Sequence, residues 1–526
     1  MMSRIIFSIS FLLLVLTLNG QSDREQIEQV LHDFIDGTVY NDPDLIRRSF
    51  YPGSYMFLHN DPDTVWKMSS DAYAALYDNG RKGIKNNREG KIITIDIVLS
   101  VAYAKLEVIV PVLNKRFYDL LLLKKINGKW LITGKSTSAE PIPKSALQST
   151  VVPRKETIMS GLNKPWSMAF LNENEVLLAE KEGSLLRIDL SSGAKTAISG
   201  LPKDVGRAIT IDTALYRPGT YPAPAHGQEH VFNAGWFQVL LDPAFADNGY
   251  IYLSYASMNE ENAAALKVIR GRLTENRLEQ VETILLAGPY SHGLFHFGGG
   301  MVFGPDGKLY IATGERNFFE YHNPELPLAQ DITDRRGKIF RLNPDGSIPA
   351  DNPDFGSRAV PGLYALGIRA SQGMTLDETT GRIWFSDHGT IQGDELNMLE
   401  AGANYGWPYR TSGKFRTADY QPRVPAGLEF TDPVHSWDQT IAPTGLTFYR
   451  GRDFRQWAGN IILPGLSKGS LWRIELDQDH SVTRMEELFV NDRVRLRKAI
   501  VSPFGKLYLL TDETDGKIIR VIDEHL

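Results

Sequence analysis

The 526-residue chain contains no cysteine. Disulfides, thiolate metal sites and lipid attachment at a thiol are therefore all excluded. Excess charge of either sign is also missing: the formal net charge is −6. This is too mild to imply a polyanionic partner and argues against nucleic acid. Only one long apolar run occurs, Ile5 to Leu16, following Arg4 and preceding small polar residues near Gly20 and Gln21. It is shorter than the ~20 apolar residues a membrane span requires. Its layout is that of a secretory leader, residues 1–21, removed on export. The expectation is a secreted or periplasmic protein without stable membrane insertion. The apolar and charged fractions, 42% and 23%, are those of a folded chain, and its length calls for more than one core.

After the leader, Ser22-Asp-Arg-Glu25 reads as a capping box, and Ile27, Val30, Leu31, Phe34 and Ile35 follow at helical spacing, with Gly37 as the expected stop. Asp42-Pro43 opens a second short helix. The period then changes: Ile93, Ile95, Ile97 and Leu99 alternate, residues 106–110 and 117–125 are strand-like, and Asn127-Gly128 marks a hairpin leading into Trp130. Residues 22–135 are expected to form a small α+β domain, with 136–155 as a linker. The order of elements resembles the cone-shaped fold of the SnoaL and nuclear-transport-factor group. Such cones hold ligands or act as dimerisation modules, so a homodimer is one expectation, and no chemistry is assigned to this domain.

Residues 156–526 repeat a unit of turn, apolar strand, loop and second strand. "GPDGKLYIATGERN" with "GKIFRLNPDG", "DETTGRIWFSDHG" and "SPFGKLYLLTDETDGKIIRVI" are three of its copies. Six copies predict an all-β domain, a six-bladed β-propeller.

Several polar clusters lie outside the repeated pattern. His296 stands before Gly298, Gly299 and Gly300; it is either a loop histidine or a general base. Arg369 lies in "GIRASQGM". "DHGTIQGDELN" combines the Gly389 and Thr390 carbonyls with Asp394 and Glu395, an oxygen-rich loop able to hold calcium or only water. Arg493, Arg495 and Arg497 alternate, and on a strand they would share one face, which calls for carboxylates or an anionic ligand. Trp437 offers a stacking surface and Lys468 a further cation.

These segments, in order over nearly all of 156–526, resemble the soluble quinoprotein glucose dehydrogenase and aldose sugar dehydrogenase family (glucose/sorbosone dehydrogenases). The family's His-x-x-Gly-Arg appears as "HFGGG", Gly-His-Arg-Asn-Pro-Gln-Gly as "GIRASQGM", Glu-His-Gly-Pro as "DHGT", Trp-x-Pro-Ser-Ile-Ala-Pro as "WDQTIAP", and Arg-x-Arg-Asp as "RLRK". The resemblance implies a sugar oxidoreductase dependent on pyrroloquinoline quinone (PQQ) and calcium. In it His296 takes the hydroxyl proton while hydride passes to the quinone C5, and Arg369 stabilises the oxyanion. Arg495, Arg497 and Lys468 would pair with cofactor carboxylates, Trp437 would line the cofactor pocket, and Asn233 would lie near the sugar. The Gly389 and Thr390 carbonyls would hold calcium, and the electron acceptor is left open. Gly300, Ala370 and Lys498 depart from the pattern, where the family has arginine, asparagine and aspartate, and Phe295 stands where an acidic residue can precede the histidine. The alternative is a non-catalytic propeller of the same family that binds carbohydrate or a protein partner. A calcium-dependent hydrolase propeller is a third reading, which leaves the arginines without a purpose.

Overall fold

In this computed structural model, residues 22–524 are described except 62–63, 79–81, 84–87, 111–114, 142–151, 207–208, 211–228, 231–233, 294, 317–325, 416–421, 452 and 491. The expected leader and Asn233 lie outside the described residues. The chain divides into two compact units, one ending at Glu140 and the other running from Pro141 onward.

In the first unit, helix α1 (Asp23–Val39) begins at the capping box. Glu25 N–H donates to Ser22 Oγ at 3.3 Å, and Ser22 N–H donates to Glu25 Oε2 at 2.7 Å. Ile27, Leu31, Phe34 and Ile35 form its buried stripe. The helix runs past Gly37 to Val39, so that glycine is not a stop. A Cβ there would lie 2.6 Å from Ile46 Cγ1 on α2 (Pro43–Ser49), and the glycine permits the close helix crossing.

Strands β1 (Phe50–Asp61) and β2 (Thr64–Ser69), helix α3 (Ser70–Ala75), then β3 (Glu89–Val98), β4 (Val101–Val110), β5 (Lys115–Ile126) and β6 (Lys129–Pro141) follow. They form one six-stranded sheet in the order β2-β1-β6-β5-β4-β3. Asn127 and Gly128 have φ of 51° and 81°, the two positive values a tight β5–β6 hairpin demands. Strand β6 runs to Pro141, and β7 (Pro153–Leu162) begins before residue 155. Of the expected linker 136–155, residues 136–141 thus belong to β6 and 153–155 to β7.

Among the described residues, the second unit has six four-stranded antiparallel sheets. Their first strands are Pro165–Phe170, Trp236–Leu241, Gly298–Phe303, Gly373–Asp377, Thr447–Phe448 and Leu496–Val501. Each packs beside the next, and the last returns to the first. Apolar clusters join every consecutive pair of sheets, for example Trp384 and Trp437 to Phe448 and Trp472, and Leu510 and Ile518 to Met168 and Val176. The final sheet takes its fourth strand from β7, which precedes the first sheet in the chain. This closure makes the ring a propeller and covers edges that would otherwise be open.

Asp306, in the Gly-Pro-Asp-Gly turn, does more than turn the chain. Its carboxylate accepts from Lys308 N–H at 3.0 Å, Tyr310 Oη at 3.0 Å and Arg341 Nε at 2.8 Å. The repeated turn and the arginine of Gly-Lys-Ile-Phe-Arg therefore form one structural tie within a sheet.

Candidate active site

His296 precedes the strand Gly298–Phe303 and has a φ of 55°. Its neighbours explain the glycines. A Cβ at Gly314 would lie 1.9 Å from the His296 carbonyl oxygen, and one at Gly299 would lie 2.9 Å from the Phe237 ring. The loop crosses the end of the next strand at a distance only glycine permits. Arg316 then fastens it: its guanidinium donates to the carbonyls of Phe295, Ala264 and Gly293 and lies 3.5 Å from the Phe297 ring centroid. His296 Nδ1 meets Glu315 Oε1 at 2.5 Å, and the Glu315 side chain is 1% exposed. Burial, followed by the Arg369 charge, outweighs Glu315 and pulls the His296 pKa down to about 4. The imidazole is therefore neutral at physiological pH. With Nδ1–H directed at the carboxylate, Nε2 is left as the proton acceptor.

Arg369 is buried, its guanidinium 5.1 Å from the Trp407 ring centroid. Its Nη1 donates to the His388 carbonyl at 3.2 Å, and its own N–H donates to Asp387 Oδ2 at 2.8 Å. His388 donates from Nε2 to the Pro443 carbonyl at 2.6 Å, and burial and then the charge of Arg369 bring its pKa down to about 4. The charges of both Arg369 and Arg497 act on His388, so the first group of residues adjoins the second.

That second group is built on Asp512. Its Oδ2 accepts from Arg497 Nη2 at 2.8 Å and from Arg495 Nη2 at 3.1 Å. Burial pushes this carboxyl up, but Arg497, Arg495 and Lys181 hold it below its ordinary value. Arg497 also donates to Gln372 Oε1 at 2.6 Å and lies 3.7 Å from the Trp166 ring centroid. Its buried Nε has no partner among the described residues. Lys181 is brought down to about 8 by burial and by Arg497. One carboxylate thus faces three cations, an excess of positive charge centred on the largely buried Asp512 and Arg497, with Arg495 half exposed at its edge.

Several expectations change. Arg493, Arg495 and Arg497 do not share a strand face: Arg493 has a φ of 54°, Arg495 precedes the strand, and the register shifts between Leu496 and Lys498. Asp512 gathers two of the guanidiniums instead. Trp437 is 1% exposed, packed against Trp472 and His435, and belongs to the core between two sheets. It has no open face on which a ligand could stack; Trp166 and Trp407 are the aromatics beside the cations. Lys468 is exposed and donates to Gln439 Oε1 at 2.5 Å.

The Asp394 carboxylate accepts three amide N–H groups, from Gly389 at 2.8 Å, Ile441 at 2.7 Å and Ala442 at 2.8 Å. Thr390 Oγ1 donates to the Lys414 carbonyl, and Glu395 accepts from Ser412 at 3.1 Å. The carboxylates beside the Gly389 and Thr390 carbonyls are thus engaged within the loop. No group of three or more metal-ligating side chains occurs among the described residues.

The departures from the pattern are accommodated by packing. A Cβ at Gly300 would lie 3.2 Å from Met374 Cγ, and one at Gly445 would lie 2.7 Å from Lys498 Cγ. The Lys498 stem thus lies across a glycine.

Residues 162–520 match the family model described as Glucose / Sorbosone dehydrogenase. The chain belongs to the glucose/sorbosone dehydrogenase family. Residues 22–137 match a second model, described as Putative lumazine-binding. Within the glucose/sorbosone dehydrogenase family, the chain is 32% identical to the aldose sugar dehydrogenase YliI of Escherichia coli, over 70% of this chain and 92% of that one. It is 27% identical to quinoprotein glucose dehydrogenase B of Acinetobacter calcoaceticus, over 70% and 88% of the two chains. Among solved structures, the soluble aldose sugar dehydrogenase of Escherichia coli in its apo-form aligns with a TM-score of 0.60 at 30% identity, over 71% of this chain and all of that one. The PQQ-bound aldose sugar dehydrogenase of Streptomyces coelicolor aligns with a TM-score of 0.53 at 26% identity, over 72% of this chain and all of that one.

Proposed function

We propose that the chain is an exported sugar dehydrogenase, with a six-bladed propeller (156–526) carrying the site and a cone-shaped domain (22–135) preceding it. It oxidises a hydroxyl of an aldose or related sugar. The observation that carries this reading is the neutral His296, oriented by Glu315 and placed within the electrostatic reach of Arg369.

His296 Nε2 accepts the hydroxyl proton as the C–H bond breaks, and Glu315 stabilises the imidazolium that results. The Arg369 guanidinium, buried where charge interactions are strong, stabilises developing negative charge on oxygen. The excess of cations around Asp512 and the orphaned Arg497 Nε suit a polycarboxylate such as pyrroloquinoline quinone. Arg495, Arg497 and Lys468 would hold its carboxylates; when bound, it supplies the two-electron acceptor for the hydride. Asn233 is proposed for the sugar side. The Gly389 and Thr390 carbonyls remain the proposed calcium position. The neighbouring Asp394 carboxylate is engaged by three amides and is not among the proposed ligands, and no step is derived through a metal.

The protein incubated with pyrroloquinoline quinone, with and without calcium, is expected to reduce an artificial dye in the presence of aldoses. His296→Ala abolishes this activity. Absorbance titration decides whether the quinone binds at all. Absence of binding would leave a non-catalytic propeller that recognises carbohydrate or a protein. That second reading draws on Asp512, which already answers both arginines within the protein.

A further inference from the structure

We propose that Asp387 is a positioning residue that sets Arg369 and His296 in register through one continuous hydrogen-bonded relay. This proposal rests on the sugar-oxidising reading of the site. Asp387 ends the strand Arg382–Asp387 and is 5% exposed. Its two oxygens are divided between consecutive amides: Oδ2 accepts from Arg369 N–H at 2.8 Å and Oδ1 from Ala370 N–H at 2.6 Å. A carboxylate that bridges two successive N–H groups fixes the peptide plane between them, and with it the direction of the neighbouring carbonyl.

The relay continues from that turn. The Arg369 carbonyl accepts from Glu315 N–H at 2.9 Å, and Glu315 Oε1 meets His296 Nδ1 at 2.5 Å. Arg316 N–H returns to the His296 carbonyl at 3.1 Å, which closes the path onto the histidine loop. On the arginine side, His388 follows Asp387 and accepts from Arg369 Nη1 at 3.2 Å. Two adjacent residues, 387 and 388, therefore hold both the main chain and the side chain of Arg369. The relay joins the strand ends of two neighbouring sheets, those that begin at Gly298 and Gly373. The relative placement of base and guanidinium is thus fixed across a sheet boundary by hydrogen bonds, not by packing alone.

Asn at 387 keeps one acceptor and turns an NH₂ toward an amide donor, so one of the two bonds becomes a clash of donors. Glu at 387 keeps both oxygens. The full-length protein, labelled with ¹⁵N-histidine and free of added cofactor, reports the His296 ring nitrogens, assigned by their loss in His296→Ala. In Asp387→Asn these signals are expected to shift or broaden. In the loaded enzyme kcat falls by about 10²-fold, the scale of a misplacement near 1 Å, while KM changes by less than about threefold. Asp387→Glu restores both readouts. Unchanged His296 signals in a folded Asp387→Asn protein would overturn the proposal.

A second measurement needs no variant. In wild-type protein, hydrogen exchange should place the amides of residues 315, 369 and 370 in one slowly exchanging group; exchange of 369 and 370 at loop rates also overturns the relay. If the wild type reduces no dye with any aldose, the sugar-oxidising reading fails. The ring signals and exchange rates still decide the relay.

Discussion

His296 Nδ1 and Glu315 Oε1 are 2.5 Å apart, and the carboxylate that makes this contact is almost completely buried. A buried carboxylate has two effects on an imidazole: it selects the tautomer with the proton on Nδ1, and it stabilises the protonated ring once that ring has done its work as a base. Glu315→Gln retains the shape and removes the charge. The expected result is a fall in kcat of about 10²–10⁴-fold with little change in KM. Steady-state kinetics with an aldose and a dye measures this. A kcat within about twofold of wild type would show that Glu315 only fills space.

The pH dependence follows from the same pair. The His296 pKa lies at about 4 in the folded protein, against 6.5 for an ordinary histidine, because burial and Arg369 disfavour the charged ring. Above pH 6.5 the ring is neutral folded or unfolded, and its contribution to stability is intact. As pH falls from 6.5 toward 4, the unfolded chain binds a proton that the folded one refuses, and about 3 kcal/mol is lost. His296→Gln should remove this portion of the acid-induced loss in urea unfolding measured between pH 7 and pH 4. The kcat/KM profile of the wild type should keep its base active well below pH 6.5. An acid limb centred near 6.5 would place the working histidine in water.

What the sequence made legible divides cleanly by range. The Ser22–Glu25 capping box, the Asn127-Gly128 turn and the alternation through Ile95 depend on residues a few positions apart, and each could be read directly. The repeat was legible because the sheets share a succession of turn, apolar strand, loop and second strand, although the turns themselves differ. Partners that meet across sheets were not. Asp512 lies 15 residues from Arg497 and Glu315 19 residues from His296, and no local spacing marks either as a partner. Trp437 illustrates the reverse error: an aromatic in a polar loop sequence was read as a stacking surface, but pairing with Asp394 carries it into the core between two sheets. Asp394 counted toward an oxygen-rich loop because an acidic turn has the same composition whether its oxygens face an ion or, as here, amides. The strands β1 and β2 were not anticipated; β1 is drawn into the sheet by pairing with β6, and β2 by pairing with β1.

Asp512 gives a prediction that separates stability from ligand binding. It neutralises Arg497, which is 3% exposed, and shares the same oxygen with Arg495. Asp512→Asn leaves a buried guanidinium without its counter-charge, and breaking such a pair typically costs about 3–5 kcal/mol. The unliganded variant should melt well below the wild type. A polycarboxylate supplies the missing charge, so the thermal shift produced by pyrroloquinoline quinone should be larger in Asp512→Asn than in the wild type. Differential scanning fluorimetry with and without the quinone measures both quantities. An equal or smaller shift in the variant would place the cofactor's carboxylates away from Arg495 and Arg497.

Gly314 tests whether the histidine loop depends on backbone contact. The Cβ of an alanine there would stand 1.9 Å from the His296 carbonyl oxygen and 2.9 Å from Gly298 N. Neither neighbour is a flexible side-chain end, so the backbone must move. Three Arg316 bonds and the Phe297 contact hold the loop against the strand, and displacing it breaks the Gly314 N–H bond to the Phe297 carbonyl, 2.8 Å long. Gly314→Ala should therefore separate His296 from Glu315 while leaving the distant sheets intact. Its expected signature is a loss of about 10²-fold or more in kcat in a protein whose far-ultraviolet circular dichroism matches the wild type. Gly307→Ala is the control: it also has a positive φ, 69°, but nothing lies within 4 Å of its added Cβ. It should cost only the local backbone strain, about 1 kcal/mol, and leave kcat unchanged. Equal effects of the two substitutions on kcat would remove the special role given to the loop crossing at residue 314.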